Sequence, residues 1–237
     1  FLWGAIGEVY VWLIMLATAW MGAFGFADDY IKVVKRDKSG LPARIKLTGQ
    51  ITLGLLVGSI LYFHPQFSDI RTLTYLPFVA DETLDYNVLR HFVTGIDLGW
   101  LIYIPVVVFI LTALSNAVNL TDGLDGLAAG VTGIVALGLT ALAYIAGNAI
   151  FADFLNEMLL PGAGELTIFS ASLAASCFGF LWYNGYPASV FMGDTGALSL
   201  GAAVGTMALM VKKELLLPLL CAIFFLETIS VIMQTSW

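Results

Sequence analysis

The chain has 237 residues, of which 59% are hydrophobic and only 11% charged, with a mean hydropathy of +0.91 and a formal net charge of −7. A soluble domain is usually about 45–50% apolar and about 25% charged, so disordered, collagen-like and disulfide-scaffold chains are excluded and a water-soluble fold is disfavoured. The negative balance argues against nucleic acid as a partner, and the class that remains is an all-α polytopic integral membrane protein.

A spanning helix needs about 20 mainly apolar residues. Seven stretches qualify at least loosely in chain order, near 2–26, 47–63, 99–118, 127–146, 166–183, 197–211 and 215–233, the sixth being short. Their apolarity is continuous, which predicts helices; barrel strands would alternate. The opening Phe1-Leu2-Trp3 has no basic segment and no cleavage site. The expectation is therefore no signal peptide, and a single transmembrane domain over 1–237 that is the interior of a longer protein. No internal repeat is visible. Cys177 and Cys221 lie inside apolar runs and read as reduced core thiols. His64 and His91 lie outside the runs and read as loop or interfacial residues.

The connection 27–46 holds Lys32, Lys35, Arg36, Lys38, Arg44 and Lys46, six of the ten basic residues. The excess of positive charge predicts that this loop is cytoplasmic. Lys212 and Lys213 then fall on the opposite side, where two charges are outweighed by six. Seven spans put 27–46, 119–126 and 184–195 on the cytoplasmic side and 64–98, 147–165 and 212–214 on the other. In the long outer loop, the alternation from Arg71 to Tyr75 followed by Pro77 predicts a small hairpin. Leu84, Val88, Leu89 and Phe92 have helical spacing and suit a membrane-surface segment.

All three cytoplasmic connections carry carboxylates at the end of an apolar span. They read Gly25-Phe26-Ala27-Asp28-Asp29-Tyr30, Asn116-Ala117-Val118-Asn119-Leu120-Thr121-Asp122-Gly123-Leu124-Asp125-Gly126, and Val190-Phe191-Met192-Gly193-Asp194-Thr195-Gly196. Asn116, Asn119, Asp122 and Asp125 recur at i+3 and would form one polar stripe on a helix, facing protein or water because lipid cannot satisfy it. Asp28, Lys32, Lys35 and Arg36 would share a helical face, either as ordinary i,i+4 ion pairs or as a cationic surface for phosphate. Carboxylates without Cys or His partners suit a hard cation such as Mg²⁺, and neighbouring Lys and Arg suit phosphoryl oxygens. The chemistry indicated is metal-assisted phosphoryl transfer at the cytoplasmic membrane surface, with a lipid as the buried reactant. Glu227, inside the last span, fits either a functional role or an interhelical hydrogen bond. The group Trp182 to Pro187 reads as interface anchoring and turn chemistry.

These motifs, with Phe180-Leu181-Trp182-Tyr183-Asn184 preceding the third, resemble the phospho-N-acetylmuramoyl-pentapeptide-transferase family over essentially the whole chain. That family lies within the polyprenyl-phosphate N-acetylhexosamine-1-phosphate transferases. The resemblance implies a bundle of about ten helices in the bacterial cytoplasmic membrane, seven of them visible here, acting in peptidoglycan synthesis. It implies that undecaprenyl phosphate attacks UDP-N-acetylmuramoyl-pentapeptide with Mg²⁺ bound, releasing UMP and leaving the undecaprenyl-diphospho sugar peptide. By resemblance Asp194 is the metal ligand, and Asp28 and Asp29 lie beside the lipid phosphate, with Asp28 as base or orienting group. Lys32 contacts phosphate, Asn119, Asp122 and Asp125 shape the nucleotide side, and Phe191 stacks near uracil. Arg36 and Arg44 are further diphosphate or surface contacts. The resemblance also implies a homodimer. The family's N-terminal spans and histidine-rich loop have no counterpart here, so this stretch by itself is expected to be inactive. The rival readings are a sister enzyme that uses UDP-N-acetylglucosamine, a transporter or channel, and a non-catalytic fragment.

Overall fold

The computed structural model describes residues 5, 7–77, 83–87 and 98–235. It is mostly helical: α1 Val9–Val33, α2 Ala43–Phe63, α3 Trp100–Thr121, α4 Leu127–Gly147, α5 Ala149–Phe154, α6 Glu165–Asn184, α7 Gly193–Met210, α8 Leu217–Leu220 and α9 Ala222–Thr235. Between α2 and α3 two short strands, β1 Leu73–Tyr75 and β2 Thr83–Asp85, pair antiparallel with Thr74 opposite Leu84.

Among the described residues, five helices (α1, α2, α3, α4 and α6) are long and apolar enough to cross a membrane, and a sixth span results if Glu214–Leu220 and Ala222–Thr235 count as one. This is fewer than the seven expected, for two physical reasons. Helix α7 is rich in Gly, Ala, Ser and Thr, and 13 of its 18 residues are buried. It packs against α1 and α3, and less extensively α4. A helix walled by other helices needs small residues for close approach, not lipid-facing hydrophobicity. The expected last span is broken at Cys221, where its two halves meet at 72°; apolar composition does not encode such a bend.

Helix α1 runs two turns beyond the expected end at 26, so Asp28, Asp29 and Lys32 are helical. Its buried face, Tyr10, Leu13, Ile14, Ala17, Met21, Gly25 and Asp28, repeats every three or four residues. Lys32 pairs with Asp28 at i,i+4 and lies in the last turn, where a cation complements the helix dipole. The connection of 27–46 thereby shrinks to 34–42. Arg44 and Lys46 ride on the first turn of α2.

At the opposite end of the bundle the two lysines at odds with the charge rule are internal. Lys212 is 2% exposed and donates to the Arg71 carbonyl and the Tyr103 hydroxyl, both at 3.2 Å. Burial pulls its ammonium down to about 8. Its own carbonyl accepts from the Tyr75 N–H, tying β1 to the bundle. Lys213 pairs with Glu157 at 2.5 Å. Neither charge is free to interact with a membrane surface. Both cysteines are free and buried. His64 ends α2 and accepts from the Gln66 N–H. Of the surface segment expected from Leu84, Val88, Leu89 and Phe92, Leu84 is in strand β2 and not helical, because it pairs with Thr74 of β1, while Val88, Leu89 and Phe92, and His91 with them, lie outside the described residues.

Candidate active site

Three helix ends meet: the C-terminal turns of α1, the N-terminal turn of α2 and the N-terminal turn of α7. The meeting is tight because Gly25 has no side chain. A Cβ there would fall 2.2 Å from the Asp194 carbonyl oxygen, so any other residue would force α1 and α7 apart. Carboxylate oxygens of Asp28, Asp29 and Asp194 consequently lie within 4.8 Å of one another.

Two lysines thread between them. Lys46 of α2 lies 2.5 Å from Asp194 Oδ2 and 3.1 Å from Asp28 Oδ1. Lys32 of α1 pairs with Asp28 and lies 3.2 Å from Asp194 Oδ2. The other Asp194 oxygen, Oδ1, accepts from Asn119 Nδ2 at 2.9 Å, so α3 also reaches the centre. Asp28 is fully buried and accepts a further hydrogen bond from the Leu41 N–H at 2.5 Å. That bond needs the left-handed turn at Gly40, with φ +61°, where a Cβ would strike the Asp28 carboxylate.

Asp29 spends both oxygens on the start of α7. Oδ1 accepts from the Asp194 N–H, and Oδ2 accepts from the Thr195 N–H at 2.9 Å and the Thr195 hydroxyl at 2.6 Å. These are the donors that a helix leaves unsatisfied in its first turn, and an anion is favoured there.

The second acidic motif does not form the expected continuous helical stripe. Helix α3 stops at Thr121, so Asn116 and Asn119 are helical while Asp122 caps the end and Asp125 lies in the following turn. Asp122 stands beside the Gly193 N–H, and burial, with the nearby Asp194 and Asp29 charges adding, raises its carboxyl to about 6. Asp125 Oδ2 accepts from the Ala188 N–H, on the connection leading to α7. Asn184 bridges the same region, accepting from the Gly126 N–H and donating to the Val190 carbonyl. Phe191, on that connection, is 73% exposed. Lys35, Arg36 and Arg44 are exposed and lie outside the cluster.

The structure therefore brings Asp28, Asp29, Asp194, Lys32 and Asn119 into one centre, sets Asp122 at its margin, and uses Asp125 to hold the loop that carries Phe191. Lys46, Asn184 and Thr195 were not singled out from the sequence. Lys46 was one of six clustered basic residues, and only its position just ahead of an apolar run set it apart. The donor set is all oxygen, as a hard divalent cation prefers, with ammonium groups alongside that suit phosphoryl oxygens.

Comparison with known proteins gives a family match. The family model described as glycosyl transferase family 4 matches residues 11–212. Among curated relatives, the phospho-N-acetylmuramoyl-pentapeptide-transferase of Salinibacter ruber is 62% identical over 236 residues, covering all of this chain and 61% of the relative. The proteins of the same name from Chlorobium phaeobacteroides and Chloroherpeton thalassium are each 52% identical, with 60% and 61% of their lengths covered. The chain thus spans about three-fifths of the curated relatives it matches.

Proposed function

The chain belongs to glycosyl transferase family 4, and from that premise we propose that it is the larger part of a membrane transferase. The reaction moves phospho-N-acetylmuramoyl-pentapeptide from its UDP derivative to undecaprenyl phosphate, with UMP as the leaving group. The observation that carries this reading is the convergence of Asp28, Asp29 and Asp194, from helix ends far apart in sequence, around Lys32 and Lys46. The names of the relatives supply the sugar peptide.

Asp194, with Asp28 and Asp29 beside it, would hold Mg²⁺. The bound ion would neutralise charge on the diphosphate as the phosphorus–oxygen bond breaks. The fit is argued from the donors, since one carboxylate oxygen of each residue lies within reach of a common point. Lys46 and Lys32 are the chain's own contribution to phosphate charge. They stand between the carboxylates and, among the described residues, pair with Asp28 and Asp194. Asn119 orients Asp194 through its Oδ1. Asp28 holds both lysines and the Leu41 N–H, so it acts as an orienting group. Little proton removal is needed, because a phosphate monoester has its second pKa near 6 and is mostly ionised at neutral pH. Bringing two anionic groups together is the larger task, and fixed cations perform it. Asp122, Asp125 and exposed Phe191 would form the nucleotide side.

The same reading takes α7 as a buried span, the sixth of the seven in chain order, within a ten-helix domain acting as a homodimer in the bacterial cytoplasmic membrane. Its acidic end would face the cytoplasm, supported by the six basic residues clustered at that end. UMP release by the complete protein, with undecaprenyl phosphate and each UDP-sugar in turn, tests the proposal. Turnover with the muramoyl pentapeptide is expected. Turnover only with UDP-N-acetylglucosamine would replace the substrate, and ion flux in liposomes without lipid-linked product would replace the enzyme with a transporter.

A further inference from the structure

Gln50, in the second turn of α2 near the start of its apolar run, is 1% exposed and faces Asn116 of α3. The two amides bond reciprocally: Gln50 Nε2 donates to Asn116 Oδ1 and Asn116 Nδ2 donates to Gln50 Oε1, both at 3.1 Å. Asn116 Nδ2 also donates to the Thr112 carbonyl at 2.9 Å, one turn back on its own helix. An amide pair of this kind is directional. It is lost if either helix slides by a residue or turns on its axis, whereas apolar contacts tolerate such shifts.

The pair sits one turn away from the acidic centre on both helices. Helices α2 and α3 run in opposite senses, so one turn toward the site is four residues back from Gln50 and three residues on from Asn116. Those positions are Lys46 and Asn119. Lys46 reaches Asp194 Oδ2 and Asn119 reaches Asp194 Oδ1, the two oxygens of one carboxylate. The four side chains form two successive rungs between the same helices, the inner made of amides alone and the outer closed through Asp194. If the inner rung slips, Lys46 and Asn119 move relative to each other, and Asp194 loses the grip that aims it.

We propose that Gln50 is a positioning residue: through Asn116 it sets the register of α2 against α3 that lets Lys46 and Asn119 hold opposite oxygens of Asp194. This rests on the reading of Asp194 as the metal- and phosphate-handling carboxylate.

The test uses the complete protein in nanodiscs, with three variants: Gln50→Leu, Asn116→Leu, and the exchange Gln50→Asn with Asn116→Gln, which keeps both amides and their combined length. Turnover is measured together with Mn²⁺ binding by electron paramagnetic resonance, using Mn²⁺ alone as the probe. Partners that orient a metal ligand typically cost 10–100-fold in affinity or rate when removed. Each leucine variant should lose roughly that factor in kcat and in Mn²⁺ affinity, with the KM for the nucleotide little changed and the exchange recovering most of the loss. Native-like leucine variants would overturn the proposal and leave the site reading intact. So would an exchange variant as impaired as the leucines, since that marks simple packing. A native protein that neither turns over nor binds Mn²⁺ would bring down the site reading first, and the positioning role with it.

Discussion

Lys46 Nζ and Asp194 Oδ2 meet at 2.5 Å although 148 positions separate them in sequence. The same ammonium lies 3.1 Å from Asp28, so one cation from α2 joins carboxylates from α1 and α7. The Lys46 side chain is 21% exposed, Asp194 16% and Asp28 fully buried, so solvent screens this contact less than a surface pair.

Removing that cation should disable the site. Lys46→Met is expected to lower kcat by about 10²–10³-fold, the range seen when one preorganised electrostatic group is lost. Lys46→Arg should retain part of the rate. UMP release against enzyme concentration measures both.

Asp194→Asn and Asp29→Asn should fail differently. The first keeps its backbone bonds, so the protein stays folded and loses metal-dependent turnover. The second weakens the charged cap on α7. It should lower stability by about 1–2 kcal/mol as well as activity. Thermal unfolding beside turnover separates the two, and equal melting temperatures would contradict the capping role.

Gly25→Ala tests the approach of α1 to α7. Its new methyl would meet the Asp194 carbonyl region at 2.2 Å. Overpacking of this kind costs typically 1–3 kcal/mol. A loss of activity larger than the loss of folded protein is expected, because the displaced atoms belong to the site. A fully active, native-like variant would show that the helices part without consequence.

Divalent metal should stabilise as well as activate. Chelation is expected to abolish turnover and Mg²⁺ to restore it. A ligand at about 100 times its Kd adds about 2.7 kcal/mol to stability. The melting temperature should rise with Mg²⁺, and Asp194→Asn should lose the rise. A rise of the same size in that variant would move the ion elsewhere.

Asp122 makes a pH prediction for chelated protein. Its folded pKa of about 6 lies above the ordinary 3.8. An acid raised on folding costs nothing below its unfolded pKa. The cost accrues as pH climbs from about 4 to 6 and is constant above, reaching at most about 3 kcal/mol, less where solvent screens it. Asp122→Asn should therefore stabilise above pH 6 and be neutral near pH 4. Denaturant midpoints at the two pH values check this.

The order of acidic motifs along the chain was legible because lipid leaves so few explanations for Asp28, Asp122 and Asp194 at the ends of apolar runs. The helical extent of the first motif was not. Spacing alone pairs Asp28 with Lys32 on a helical face, but not where that helix ends: hydropathy falls after 26, yet α1 continues to Val33 and leaves Lys35 and Arg36 beyond it. Lys46 and Gln50 were invisible as partners for a related reason: their roles lie in what α1, α3 and α7 present to α2.

Composition and hydrophobic length by themselves determined that this is a helical membrane protein with carboxylates at its helix ends, because a run of apolar residues has one stable form in lipid. Tertiary structure alone decided which helix is buried too deeply to look like a span, where the last one bends, and which lysine stands between which aspartates. Those outcomes depend on the fit of one helix surface against another, and residues far apart in sequence carry no local sign of the neighbours they will meet.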